Sequence, residues 1–262
     1  MNNTKETVPI DLGGNYVLNP NYGGGAFRRR IRLSQNGDTV FGELEDSNHG
    51  FKVSILFDGE TVKEINPEFP RIPFTTCSGA EQPLQALIGA AASSSPSYLN
   101  TLARPLENCT HLLDLTLLCI SHRVGDDNTV VYDVEVKDQV AGVAELRIWR
   151  NDVLMHYWQA KDGAIISPEE LNGRVLYKGF SAWANQQFTA LENESAFVLH
   201  KANLVAIGRF LDVDALAGNR AIDENQRVAC YPYSPPRSSV AIRLSNTVRD
   251  FSHTTEELLQ FK

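Results

Sequence analysis

Polar and apolar residues alternate at period two along Phe27-Arg28-Arg29-Arg30-Ile31-Arg32-Leu33, which puts Phe27, Arg29, Ile31 and Leu33 on one side of a strand. Phe51, Val53, Ile55 and Phe57 alternate in the same way. The Asp58-Gly59 pair after them marks a hairpin into Thr61 to Ile65. With Thr39 to Glu45 between them, residues 27–66 are expected to form an antiparallel meander, ended by Pro70 and Pro73.

The apolar period then changes to that of a helix. Leu84, Leu87, Ile88 and Ala91 predict a helix over Gln82 to Ala92, and the Ser-rich run Ala92 to Ser97 predicts a loop or lid. A stronger helix is expected from about Leu106 to about Arg123, stopping before Gly125. Three more strands follow, Val130 to Val136, Ala144 to Trp149 and Val153 to Gln159, the last two joined by the turn Asn151-Asp152. Thr189-Ala190-Leu191-Glu192 has capping-box spacing and introduces a helix from about Glu194 to Leu211. A short last strand is expected over Val240 to Leu244.

Strands in antiparallel runs, not interleaved one-for-one with helices, predict an α+β fold of antiparallel meanders packed with three main helices. The organisation expected is an N-terminal extension over residues 1–25 and one α+β domain over 26–262. Within that domain, strands, helix and strands again suggest two sub-structures of similar plan, 26–125 and 126–262. No residue-level repeat supports that likeness.

Composition narrows the partners. The 262 residues carry 24 Lys plus Arg against 32 Asp plus Glu, a formal charge of −8, with 42% hydrophobic and 21% charged residues. That balance suits a globular chain and argues against nucleic acid as a partner, because reading a phosphate backbone requires a basic surface. No window approaches the ~20 apolar residues of a membrane span. The first 25 residues lack the apolar core of a secretory signal, and the four cysteines are too sparse for a disulfide framework, so a cytoplasmic location is expected. Neither G-x-G-x-x-G nor a P-loop occurs, and Gly23-Gly24-Gly25 precedes a strand, so no nucleotide cofactor is expected. The cysteines have no C-x-x-C spacing, and no metal is expected. A small-molecule substrate is the expected partner, with self-association left open.

The stretch Asn108-Cys109-Thr110-His111-Leu112-Leu113-Asp114 carries the most chemistry. His111 and Asp114 are three apart, share a helix face, and suit an imidazole oriented by a carboxylate for general acid–base work. The plain alternative is a histidine hydrogen-bonded in a helix interface. Cys77 stands just ahead of a helix, where a thiol can become nucleophilic, or it is simply a small buried residue at a tight turn. Glu43, Glu45 and Asp46 beside Asn48 and His49 suit either a site at a sheet edge or a solvated turn. Arg28, Arg29, Arg30 and Arg32 form the one basic cluster, able to clamp an anion or to guard an edge strand. Trp183 and Tyr231 read as loop aromatics that line a pocket or anchor a core.

The order Arg29-Arg30-Ile31, Glu43-Leu44-Glu45-Asp46 with His49 and Phe51, Arg71-Ile72-Pro73 with Cys77, Leu87-Ile88-Gly89 and Cys109-Thr110-His111-Leu112 with Asp114 resembles a bacterial family catalogued as domain of unknown function 2889. Gly179-Phe180, Gly208-Arg209, Cys230-Tyr231 and Arg249-Asp250-Phe251-Ser252 are similar as well. The chain departs from the family at Glu45-Asp46-Ser47-Asn48-His49, where paired acids more often stand closer to the histidine. The resemblance implies a bacterial source and points to Cys77 and the Cys109–Asp114 stretch, but it supplies no reaction.

Together these features predict a cofactor-independent lyase or isomerase that works by acid–base chemistry on an aromatic or phenolic catabolic substrate. His111, oriented by Asp114, is the expected proton carrier, with Arg29 or Arg71 stabilising the anion, His49 nearby, and Trp183 and Tyr231 stacking on the ring. The alternatives are a non-catalytic small-ligand-binding protein and a thiol enzyme using Cys77.

Overall fold

A computed structural model describes residues 17–224 and 230–262. The expectation that no secretory signal precedes the domain falls largely on residues 1–16, outside those described. The fold is α+β. Eight strands form one antiparallel sheet in the order β4-β3-β2-β1-β5-β6-β7-β8. They are β1 (Ala26–Asn36), β2 (Thr39–Asp46), β3 (Gly50–Asp58), β4 (Thr61–Arg71), β5 (Thr129–Lys137), β6 (Val143–Arg150), β7 (Val153–Lys161) and β8 (Ala164–Ser167). Two four-strand meanders therefore meet along β1 and β5, where Ile31 faces Tyr132 and Leu33 faces Val130.

Among the described residues, four helices of eight residues or more accompany the sheet: α1 (Pro96–Ala103), α2 (Thr110–His122), α3 (Phe180–Gln187) and α4 (Ala190–Ala206). α2 packs on β1, β2 and β3, and α4 packs on β5, β6 and β7. Both cover the sheet face that carries the inward side chains, Ile31 and Leu33 of β1 and Tyr132 and Val134 of β5. Bare backbone at Gly42 permits the α2 contact, since a Cβ there would collide with Cys119 and Leu115. No helix among the described residues is long and apolar enough to cross a membrane.

The opposite sheet face is a lattice of ion pairs. Arg28 pairs with Glu135, Arg30 with Asp133 at 2.6 Å, Arg32 with Glu43, and Arg147 with both Glu135 and Glu145. The arginine cluster thus lies on a central strand, and the edge-guarding account of it does not hold. The edges are β8 and β4, and in β4 Pro67 and Pro70 sit without breaking a ladder that has a partner on one side only. Because an edge position tolerates them, β4 continues to Arg71, past the expected end at Ile65.

Elsewhere the pattern misled. The helix expected over Gln82 to Ala92 is a set of short turns, Cys77–Ala80, Glu81–Leu84 and Gln85–Leu87, ended where Gly89 takes a φ of 89°. The presumed lid contains the start of α1, because Ser95 caps the helix through the Tyr98 N–H and Pro96 fills its first position. α2 starts at Thr110, not near Leu106, since Pro105–Glu107 forms a separate turn. α3 and β8 were not anticipated, and Val240 to Leu244 makes only the isolated bridges Phe74–Arg243 and Arg220–Ile242. Asn151 and Asp152 do form the tight β6–β7 turn, with φ of 48° and 64°. The Thr189–Glu192 capping box is present and starts α4 at Ala190.

Candidate functional site

Period-two alternation carries Val40, Gly42, Leu44 and then Asp46 to the inward face of β2, directly across from Arg29 of β1. Two charges are thereby placed inside an apolar layer, Arg29 with 2% and Asp46 with 0% exposure. Such burial is tolerable only if the charges satisfy each other. Arg29 donates to Asp46 Oδ2 through Nε at 3.0 Å and Nη2 at 2.6 Å. The other oxygen, Oδ1, accepts the backbone N–H groups of Asn48 and His49, both at 2.8 Å, and lies 3.1 Å from His49 Nδ1. Burial alone would raise the Asp46 carboxyl, but His49 and Arg29 hold it well below the usual carboxylate range. An ionised carboxylate only accepts, so His49 Nδ1 carries a proton toward Asp46.

The connection Ser47-Asn48-His49 is fixed from below by Arg71. Its guanidinium donates to the carbonyls of Ser47 (3.1 Å), Thr247 (2.8 Å), Asp46 (2.5 Å) and His49 (3.1 Å), and to Glu45 Oε1 (3.1 Å). Glu45 Oε2 in turn accepts the N–H groups of Leu259 and Phe261. Arg29 and Arg71, expected to receive a substrate anion, instead spend their hydrogen bonds on holding this loop.

α2 brings its second residue against the loop. The His111 ring lies 4.2 Å from the His49 ring, centroid to centroid, and His49 stacks in turn on Phe51 at 5.6 Å. Burial pushes the His111 imidazole well below its ordinary value, and His49, Arg29 and Lys201 push the same way against Asp46. His111 is thus neutral near pH 7, and its Nδ1 has no hydrogen-bond partner.

The expected His111–Asp114 pair does not form. Asp114 Oδ1 lies 3.3 Å from Lys201 Nζ on α4, and Asp114 Oδ2 is left without a partner. A long cation from the neighbouring helix outcompetes an imidazole on the same one. Burial raises the Asp114 carboxyl, with Lys201 opposing.

The remaining candidates have other surroundings. Cys77 is buried and its thiol is pushed up to about 12 by burial, which removes the thiolate that nucleophilic attack requires. Cys109, just before α2, is pushed up to about 11 by burial, with the N–H groups of Leu112 and His111 pulling the other way. Trp183 sits on α3, not in a loop, against Phe180, Phe188 and the Arg174 guanidinium. Tyr231 lies in the turn Tyr231–Tyr233, under Arg237 and close against Gly79. Gly23 and Gly25 donate their N–H groups to Asp138, so the glycine run cradles the protein's own carboxylate. No group of three or more His, Cys, Asp or Glu side chains among the described residues is arranged to hold a metal ion.

Lys201 is the site residue that sequence reading missed, while Asp46 stood between a sheet-edge site and a solvated turn. Extending the β2 alternation by one step marks Asp46 as inward, so its signal was present. Lys201 had none, because nothing local in α4 reports which helix lies beside it. No family model, curated protein or solved structure matches the chain.

Proposed function

We propose that the protein is an enzyme that moves protons on a small planar substrate, with His49 as general base and Asp46 as the carboxylate that orients it. The observation that carries this reading is the buried Asp46 Oδ1–His49 Nδ1 contact of 3.1 Å, with a second, neutral imidazole in ring contact with His49. A carboxylate behind one ring nitrogen fixes the tautomer and leaves the other nitrogen basic. The role first assigned to the His111–Asp114 pair passes to His49 and Asp46.

The reaction class is elimination, isomerisation or retro-aldol cleavage of an aromatic or phenolic compound. In the retro-aldol case His49 Nε2 takes the hydroxyl proton. The carbon–carbon bond breaks with its electron pair passing to the α-carbon as an enolate, and the proton returns from His49 to that carbon. Trp183 and Tyr231 take no part. Instead, the ring series His111–His49–Phe51 offers a planar substrate a surface that continues the stack.

Incubation with a panel of phenols and β-hydroxycarbonyl compounds in D2O tests the proposal. The native protein should release fragments or exchange carbon-bound hydrogen for deuterium with at least one compound. His49→Gln should lower that rate by about 10²–10⁴-fold, the usual worth of a positioned base. Equal rates in the native protein and His49→Gln would remove the reading. Tight retention of a compound with no product would favour a binding protein built on the same residues.

A further inference from the structure

The site is built from both meanders, and the contribution from the second one is a cation. Lys201 projects from α4 to Asp114 on α2, 3.3 Å away, and is 31% exposed while Asp114 is 28% exposed. An ammonium has three donors, and Asp114 is the one partner that Lys201 has among the described residues. Beside this pair stand two acceptor-capable atoms without partners, Asp114 Oδ2 and His111 Nδ1. Buried polar atoms without a partner each require an explanation, and two of them flank one partly exposed cation.

The two other cations of the region cannot answer. Arg29 is committed to Asp46 through Nε and Nη2, and Arg71 to the Ser47–His49 loop. Lys201 combines donors that Asp114 does not use, access to solvent and a charge that acts on His111. A neutral imidazole beside it adds no competing charge.

We infer that Lys201 is the anion-binding residue of this site and that the molecule it selects is a planar aromatic carboxylate. The inference rests on the proposed acid–base reading for its location. It deepens that reading by naming the substrate's charged handle. The carboxylate takes the Lys201 donors that Asp114 does not use and the N–H of His111, while the ring extends the series His111–His49–Phe51 at its His111 end. The Asp114 carboxyl, already raised by burial, then faces a second carboxylate and takes up a proton. That proton lets Oδ2 donate to the ligand instead of repelling it.

Benzoate and its neutral isostere benzamide are the probes, and binding to the full chain is followed by titration of the histidine nitrogen signals. Benzoate should bind at least tenfold more tightly than benzamide, the usual scale of a hydrogen bond to a charged group. Lys201→Gln should erase that difference, Lys201→Arg should keep most of it, and benzamide affinity should be the same in all three proteins. Because Lys201→Gln leaves Asp114 unpaired, the double variant Lys201→Gln/Asp114→Asn serves as a second, charge-balanced test with the same expected loss. Equal binding of both probes, no binding of benzoate, or full benzoate affinity in the double variant would overturn the inference. None of these outcomes touches the His49 base, which is judged by deuterium exchange alone.

Discussion

The two meanders share an order of elements but close their middle hairpins in opposite ways. Between β6 and β7 the connection is the two-residue turn Asn151-Asp152, whose left-handed backbone suits the twist of the strands. Asn151 also satisfies the Val131 N–H through its side chain, and nothing in the turn is reactive. Between β2 and β3 the connection is Ser47-Asn48-His49, held by Asp46 above and Arg71 below. The helix-covered interiors differ in the same sense. The second meander fills its interior with rings, Trp158, Phe180, Phe188 and Phe197, and with His200 stacked on Phe180 at 4.1 Å and 3°. The first puts an ion pair there. Aromatic packing stabilises without a charge to satisfy, whereas a buried ion pair must offset its desolvation through close mutual hydrogen bonds.

This contrast predicts where each meander breaks. Asp46→Ala should cost about 3–5 kcal/mol, because it strands the Arg29 guanidinium in an apolar layer and frees the Asn48 and His49 N–H groups. Urea unfolding monitored by circular dichroism measures it, and a loss under 1 kcal/mol would show that Arg29 finds another partner. In the second meander the sensitive group is His200, which burial lowers to about 4 from the ordinary 6.5. Its Nε2 donates to the Leu176 carbonyl at 2.9 Å, and its Nδ1 is buried without a partner. The unfolded chain binds this proton more tightly than the folded one, so stability is whole above about pH 6.5 and falls as pH drops toward 4. The full shift is worth roughly 3 kcal/mol. His111 and His156 are lowered in the same direction, so His200→Phe should shallow the acid limb of stability against pH without abolishing it. An unchanged limb would place the acid sensitivity elsewhere.

Legibility followed the range of the interactions. Seven of the eight strands were readable because alternation is local and the sheet has one covered face; β8, four residues after Asp162-Gly163, was too short to show a period. Helix ends were misread where a turn preceded them, as at Pro105–Glu107 before α2. His49 and His111 were both visible as candidates, but their ring contact joins a hairpin to a helix 62 residues on, which no spacing rule reaches. Asp46 stayed between a sheet-edge site and a solvated turn, because an acid near a turn is usually solvated. Its burial is set by strand register, which β1 supplies. Arg71 was placed as an anion receptor on residue type alone, and only the five acceptors around it reveal a clamp.

The smallest effect is the one that best separates the two faces of a single strand. Arg29 and Arg30 are neighbours on β1, each paired across the sheet, Arg29 with Asp46 and Arg30 with Asp133. The second pair sits on the open face with both side chains about a quarter exposed, 28% and 29%. Water screens it and salt shields it, so a double-mutant cycle on Arg30 and Asp133 should return about 0.2–1 kcal/mol of coupling. That coupling should shrink toward zero in 1 M salt, where the Debye length is about 3 Å. The same cycle on Arg29 and Asp46 should be several-fold larger and keep its size in salt, because no ions enter the layer beneath α2. Similar couplings with similar salt dependence would mean that the inner face is wet. His49 would then lose the dry, fixed carboxylate on which its proposed role as a base depends.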